Sequence, residues 1–321
     1  MKGINMIRKL IIPIIICMSI YGCAITTSQK KAVDNLGKAS ESLGMIISNE
    51  LPTLRKDTIE MNMVSLELRG AVQPDNLDSN FNNETLAVRI DAAKALACYG
   101  KLLLSLVRDD QTERIKKNSD ELFTNISRFN TSASKIDFNQ LGDKYSQLTG
   151  RPFFVSEFDT TVFLSINQSI QGLGGIFQKL MLFYYNYKKA KCLKKIVHTY
   201  HNEINKICYL MMNDFSTNGK GLIRDYKNTI DILENSVSGI RFINECCQRK
   251  IAVRGYYLLL QNETRMNSVA KKVESTLHTL INANNTLARY LENKTLSDLS
   301  DIESLTLTIR DLTESIKIIS K

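Results

Sequence analysis

The chain has no tryptophan, only four prolines and only three histidines among its 321 residues. Because proline is scarce, long stretches run without the residue that most strongly interrupts a helix. Leu, Ile, Lys, Asn and Ser are abundant, and no stretch alternates polar and apolar residues strongly enough to predict a strand. No repeat of fixed period is visible. The composition therefore favours an all-α fold.

Sequence motifs for catalysis and nucleotide binding are also missing. GxSxG, CxxC and Walker patterns do not occur. The run Gly172–Gly175 has two of the three glycines of a dinucleotide fingerprint, but Phe177 stands in the third place and no strand precedes it. His198 and His201 are three residues apart with Glu203 nearby, and no further metal ligands cluster around them. We predict no catalytic, cofactor-binding or metal-binding residue, and we do not expect an enzyme.

Cysteine usage is sparse and uneven. Apart from Cys17 and Cys23, an odd number of cysteines remains, which argues against a complete disulfide framework in an exported protein. Cys192 and Cys208 would be about 24 Å apart on one helix, too far to bond to each other. Bridges between different helices stay open, but buried, reduced thiols acting as small hydrophobes are the favoured interpretation. The five cysteines are Cys98, Cys192, Cys208, Cys246 and Cys247.

The N-terminal residues have the pattern of a secretory signal. Lys2, Arg8 and Lys9 supply positive charge, and the uncharged apolar run Leu10–Ile20 follows. Gly22, a small residue, directly precedes Cys23. A membrane-spanning helix is the alternative, but it needs roughly 20 apolar residues, and Pro13 interrupts this shorter run. Cleaved secretion without lipid is a further alternative.

The run Ile20-Tyr21-Gly22-Cys23 resembles the lipobox of bacterial lipoproteins. This resemblance covers the first 23 residues only. It implies that residues 1–22 are a signal peptide, that the Cys23 sulfur is diacylated, and that the new amine is often acylated too. Residue 24 is Ala and not Asp, which implies the outer membrane facing the periplasm. Without Lys2, Arg8 and Lys9, the net charge falls from +9 to +6, which permits an anionic partner but does not require one.

After a tether over residues 23–28, the apolar spacing predicts helices through residues 29–321. The first is expected from about Gln29 to Val72, kinked or divided by Pro52. A second is expected from Asn83 to Arg108, and its small residues predict a central position in the bundle. Further helices are predicted around apolar residues at spacings of three, four and their sums: Ile115, Leu122, Ile126 and Phe129; Ile223, Tyr226, Ile230, Leu233, Val237 and Ile240; Val269, Val273, Leu277, Leu280, Leu287 and Leu291; Ile302, Leu305, Ile309, Leu312, Ile316 and Ile319.

These helices predict an elongated bundle of long, antiparallel, amphipathic helices with coiled-coil-like seams. The residues 135–152 contain Gly142, Gly150 and Pro152, and they are the best candidate for an irregular loop or a boundary within the bundle. A turn is predicted over Ser216–Gly221.

The stretch from about Leu173 to Lys206 contains the candidate site. No charge occurs from Thr160 to Gln178, and three tyrosines then meet a block of lysines. Aromatic rings at headgroup level and lysines against phosphates are typical of an interfacial segment, while a buried helix with a lysine-rich, solvated end is the plainer alternative. The residues predicted to contact an anionic membrane are Tyr184, Tyr185, Tyr187, Lys188, Lys189, Lys191, Lys194 and Lys195.

The sequence therefore predicts a lipid-anchored cell-envelope protein that acts as a binding or scaffold module. Its expected partners are the membrane, through lipid on Cys23, and an envelope protein or anionic polymer; nucleic acid is not expected. The alternative is a membrane-active helical protein that inserts or docks through residues 160–195. The sequence itself names no molecular task.

Overall fold

A computed structural model describes residues 25, 27–70, 77–108, 112–133, 182–216, 221–239 and 246–293, with single positions of the C-terminal segment. Within these ranges the chain forms seven α-helices and one π-helical turn, with no strand. The helices are α1 (Thr27–Arg69), α2 (Asn83–Arg108), α3 (Thr112–Ala133), α4 (Leu182–Phe215), α5 (Leu222–Ser238), α6 (Cys246–Arg265) and α7 (Lys271–Asn293), and the π-helical turn is Met266–Ala270.

α1 and α2 form an antiparallel pair with the most extensive packing in the described bundle. The pair approaches closely where Gly44 faces Ala93 and Ala97, and where Gly37 faces Gly100. A Cβ atom on Gly44 would lie 2.5 Å from the carbonyl oxygen of Ala93, so only glycine fits this crossing. Small residues on both helices therefore set the distance between them.

The central position predicted for α2 is confirmed. Every residue from Ala95 to Gly100 is buried, which means that neighbours surround this part of the helix. α2 packs against α1, α3 and α4, and its Tyr99 reaches α7.

α6, the π-helical turn and α7 join without a break into one long helix. The residues at both ends of the turn, Arg265 and Lys271, keep right-handed helical dihedral angles. This helix runs antiparallel to α1, since Arg265 contacts Glu50 while Arg254 contacts Glu60. α1 and the α6–α7 helix are therefore two rods lying side by side, each more than ~60 Å long at 1.5 Å per residue.

The two ends of the bundle differ in thickness. α2 and α7 pack against the N-terminal half of α1, and α3 and α4 pack on α2 in turn, whereas α5 and α6 accompany the C-terminal part of α1. α5 runs parallel to α1 and not antiparallel, because Tyr226 approaches Asp57 and Ser236 bonds Arg69.

The all-α bundle is confirmed, and most predicted boundaries agree closely. α2 covers Asn83–Arg108 as predicted, and α4 ends at Phe215 while α5 begins at Leu222, on either side of the predicted turn. Pro52 does not divide α1, which continues through it. Pro52 has no backbone N–H, so α1 loses one hydrogen bond there. Leu51 and Leu54, on either side of Pro52, are buried and hold the helix against its neighbours. The predicted loop 135–152 lies outside the described residues, as do most residues of the predicted last helix.

Candidate functional site

The predicted membrane-contact residues lie on or next to α4, with Cys23 as the exception. Cys23 precedes the described residues, so its lipidation stays a prediction. Tyr184, Tyr185 and Tyr187 belong to the first turns of α4, and their side chains lie outside the described set. The lysines that follow them can be placed individually.

Four of the five predicted lysines reach solvent. Lys191 and Lys194 are exposed, and Lys188 and Lys195 are half-buried. Lys189 is only 5% exposed, so it does not share the solvent-facing side of the other four. Its position explains the burial, because Lys189 falls on the apolar face that also carries Leu193, Ile196 and Tyr200. The sequence block of lysines is thus divided by the helix into a solvent face and one buried member.

Lys206, at the end of the candidate stretch, does not add to its exposed positive charge. Lys206, three residues after Glu203, donates to its Oε1 at 2.9 Å, and both side chains are largely buried. Asn130 of α3 donates to the other oxygen of Glu203 at 3.4 Å. Lys206 therefore serves the packing of α3 against α4 and adds nothing to a cationic surface.

A buried chain of polar side chains holds α4 to α2 and α7. Tyr99 donates its hydroxyl to Asn284 Oδ1 at 2.9 Å, and Asn284 donates to Asn205 Oδ1 at 3.0 Å. Asn205 in turn donates to Asn285 Oδ1 at 2.9 Å, and His201 Nε2 lies 2.7 Å from the same oxygen. A buried amide without a hydrogen-bond partner is energetically costly. These hydrogen bonds therefore favour one alignment of the helices along each other.

The same contacts establish which end of the bundle carries the lysines. α4 runs antiparallel to α2, since Asp214 contacts Arg89 and the Asn205 level matches Tyr99. Arg108 lies nine residues after Tyr99 on α2. Because α4 runs the other way, Arg108 is level with about residue 196, nine residues before Asn205. Arg108 pairs with Asp34 near the start of α1, and this hydrogen bond lowers the pKa of the Asp34 carboxyl. The lysines of α4 therefore lie level with, or beyond, the N-terminal end of α1.

Further lysines extend this cationic end. Lys30 and Lys31 are exposed, and they are the fourth and fifth residues of α1. Together with Lys191 and Lys194 they give the N-terminal end of the bundle an exposed set of positive charges. We call this set the lysine end: Lys30, Lys31, Lys188, Lys191, Lys194 and Lys195.

A second polar cluster lies where the thick and thin parts of the bundle meet. Arg265 donates to Glu50 Oε2 at 2.7 Å, and its Nε is 3.2 Å from Asp57 Oδ2. Tyr226 donates to Asn262 Oδ1 at 2.5 Å. Burial raises the pKa of the Asp57 carboxyl, against the attraction of Arg265, and burial also raises the pKa of the Tyr226 hydroxyl. The cluster joins α1, α5 and α6 at the start of the π-helical turn.

An apolar face that sequence reasoning missed lies on α6. Val253, Tyr256, Tyr257 and Leu260 are exposed, at fractions of 69, 56, 66 and 68%. The opposite side of α6 carries buried Gly255, Leu258 and Leu259 against α1 and α5. The four exposed residues are spaced by three, one and three positions, which is the sequence signal for an apolar helix face. The same spacing elsewhere in the chain marks buried faces, so it does not by itself reveal exposure. We call these four residues the α6 face.

The described surface also contains open grooves. One of about 820 Å³ between α1, α2 and α3 is lined by residues of both charges, including Glu41, Lys101 and Arg114. A smaller, apolar groove of about 410 Å³ lies around Pro52 and Leu86. Neither groove contains the predicted site residues.

Within the described ranges, no helix combines the length and the apolar character that crossing a membrane requires. In the same part of the chain, no three His, Cys, Asp or Glu side chains converge as a metal site would need. The His201 ring lies 2.7 Å from Asn285 Oδ1 and 3.2 Å from Asn202 Oδ1. No family model, curated protein or solved structure matches the chain.

Proposed function

We propose that this chain is a lipid-anchored cell-envelope protein that acts by binding. The bundle is a scaffold that lipid on Cys23 holds at a membrane, with the lysine end facing anionic headgroups. One observation carries the proposal: α1 begins at Thr27, four residues after Cys23, and the α4 lysines lie at the same end of the bundle.

The distances suit this arrangement. Four extended residues span at most ~14 Å, so a lipid on Cys23 would keep the start of α1 near the headgroups. Electrostatic attraction in physiological salt extends over a Debye length of about 8 Å. Each lysine close to an anionic surface contributes about 1 kcal/mol. Because two or more acyl chains already anchor a protein stably, the main contribution of the lysine end would be to orient the bundle.

Docking is favoured over insertion of α4. The described part of α4 is held by the Tyr99–Asn284–Asn205 chain of hydrogen bonds and by the buried pair of Asp214 with Arg89. Inserting this helix into a bilayer would expose both sets of polar groups to hydrocarbon, where each unsatisfied group costs several kcal/mol. Membrane activity through residues 160–195 remains the second candidate, supported by the uncharged run before α4.

The anchor is tested by metabolic labelling with a palmitate analogue. The unmodified chain should incorporate the label and sediment with membranes, and Cys23→Ser should lose both properties. The matched control is Cys98→Ser, because Cys98 is a buried thiol of α2 and should not affect labelling. Unchanged labelling of Cys23→Ser would refute the lipid anchor.

The lysine end is tested by flotation with vesicles that contain an anionic phospholipid. In the Cys23→Ser background, which leaves electrostatics as the attraction, Lys191→Glu with Lys194→Glu should reduce bound protein several-fold at low salt. Lys227→Glu on α5, an exposed lysine far from this end, is the control and should bind as its parent does. Equal loss in both would contradict the proposed orientation.

The insertion alternative is tested with the same vesicles loaded with a fluorescent dye. A docking scaffold should release no dye. Leakage that Leu182→Asp abolishes would instead support insertion through residues 160–195.

A further inference from the structure

The α6 face is the largest group of exposed apolar side chains on one described helix. All four side chains are more than half exposed, and they cover two helical turns on the side of α6 that points away from α1 and α5. Two tyrosines and two aliphatic side chains at this spacing are what one helix presents to another. A partner helix would bury them along a seam.

Charged residues bound the α6 face at both ends, with opposite signs. Arg249 and Lys250 lie one turn before Val253, and Glu263 lies one turn after Leu260. All three are exposed. Arg249, Tyr256 and Glu263 are seven residues apart, so they share one edge of the helix, with the cation at one end and the carboxylate at the other.

We propose that the α6 face binds the α6 face of a second copy of this chain, antiparallel and about a two-fold axis near Tyr256. In such a pair residue i of one copy contacts residue j of the other, and j contacts i. Arg249 of each copy then lies opposite Glu263 of the other. Val253 of each copy approaches Leu260 of the other, and the tyrosines meet at the centre.

The charges select this partner and this direction. A parallel pair would place Arg249 beside Arg249 and Glu263 beside Glu263, which like-charge repulsion opposes. The antiparallel pair gains two attractive contacts from the same residues. A face whose two ends complement each other needs no second kind of protein, and this inference is independent of the lipid anchor and the lysine end.

The size of the face sets the expected affinity. Stable complexes bury about 800 Å² on each partner, and four side chains on one helix supply only part of that area. The association should therefore be weak in dilute solution.

Sedimentation equilibrium of the full chain in density-matched detergent measures the association. Arg249→Glu and Glu263→Arg should each weaken the homodimer by on the order of tenfold, because each variant faces like charge twice. An equimolar mixture of the two variants should recover dimers at least as strong as the parent, since Glu at 249 then faces Arg at 263 and Arg249 faces Glu263. The double variant with both changes should recover as well.

Two further variants test whether the α6 face itself makes the dimer contact. Tyr257→Asp should abolish the dimer, and Lys227→Glu with Glu234→Lys, both exposed on α5, should leave it unchanged. A monomer at all concentrations up to ~1 mM, or single charge reversals that leave the dissociation constant unchanged, would overturn the proposal. Weakening in the single variants without recovery in the mixture would also overturn the antiparallel arrangement.

Discussion

Arg89 of α2 and Asp214 of α4 form a bidentate ion pair inside the bundle. Arg89 Nε donates to Oδ2 at 2.7 Å, and Nη2 donates to Oδ1 at 2.9 Å. Asp214 also accepts a hydrogen bond from the backbone N–H of Leu222, at the start of α5. Burial raises the pKa of the Asp214 carboxyl, and Arg89 acts in the opposite direction. One carboxylate thus ties α2, the end of α4 and the start of α5 together.

Removing one member of this pair should destabilise the protein strongly. Asp214→Ala leaves a buried guanidinium without its partner, so we expect a loss of about 3–5 kcal/mol in the free energy of unfolding. Replacing both members, as in Arg89→Met with Asp214→Leu, should recover much of that loss because no charge remains buried. Urea unfolding followed by circular dichroism measures each variant. Additive losses in the double variant would contradict a coupled pair.

The glycine crossing of α1 and α2 should not tolerate a methyl group. A Cβ atom at Gly100 would overlap the backbone nitrogen of Glu41 and the carbonyl oxygen of Gly37, so the helices must separate. We expect Gly100→Ala to cost about 1–3 kcal/mol of unfolding free energy, despite alanine's better helix propensity.

The control for this change is Gly239→Ala at the end of α5. A Cβ atom there would come no closer than 3.3 Å to another atom, and its backbone is right-handed. This variant should be neutral or slightly stabilising. If thermal unfolding shifted equally in both variants, the close crossing would not explain the effect of Gly100→Ala.

Asp57 should make stability depend on pH in a direction unusual for a carboxylate. Its pKa is raised by burial from an ordinary value of 3.8, so the folded state holds its proton to higher pH than the unfolded chain does. Its contribution is therefore fully present below pH ~4 and is lost as pH rises through the folded pKa. The loss is about 1.4 kcal/mol for each pH unit between the two pKa values.

Asp57→Asn removes this titration while keeping the shape of the side chain. The unfolding free energies of both proteins are measured in urea from pH 4 to 8. Their difference cancels the pH dependence that the other titrating groups contribute. Those include Glu50, Glu60, Arg265 and Tyr226, which surround Asp57. The difference should move in favour of Asp57→Asn as pH rises. A difference that stays constant with pH would show that Asp57 titrates alike in both states.

The described thiols should be unreactive until the protein unfolds. Cys98, Cys192 and Cys208 are free and buried. Burial raises the pKa of Cys192 to about 12, and it raises the pKa of Cys98 and Cys208 too, so little thiolate exists at pH 8.

A variant with Ser at positions 17, 23, 246 and 247 isolates these three thiols. In the native state, an aromatic disulfide reagent should label them no faster than global unfolding allows, and in 6 M guanidinium it should label all three at once. Rapid labelling of one thiol in the native state would indicate local opening around its helix.

Apolar spacing predicted the helices well because each helix buries one side against its neighbours. The stripe from Val33 to Leu54 is buried throughout α1, and Ile223 to Val237 is buried along α5. The π-helical turn was not predicted, although the steps from Arg265 through Val269 and Val273 to Leu277 lengthen to four residues each. Such a run of fours accompanies an inserted residue.

The candidate site was less predictable, since exposure depends on which neighbour covers each helix. Lys189 and Lys191 look alike in the sequence, but the helix turns one into the core and the other into solvent. The α6 face has the same spacing as a buried stripe, and only the absence of a described neighbour on that side distinguishes it. Buried pairs such as Arg89 with Asp214, far apart in the chain, leave no local pattern at all.

The position of the α6 face along α1 determines how far apart the N-terminal ends of two paired copies lie. Glu60 and Val64 of α1 lie beside Arg254 and Gly255, so the face is about 50 Å from Thr27 at 1.5 Å per residue. In an antiparallel pair the two Thr27 ends point in opposite directions, about 100 Å apart. Two copies standing upright on one bilayer could not meet in this way. A pair joined through α6 would instead connect two opposing surfaces, with its length fixing the gap between them.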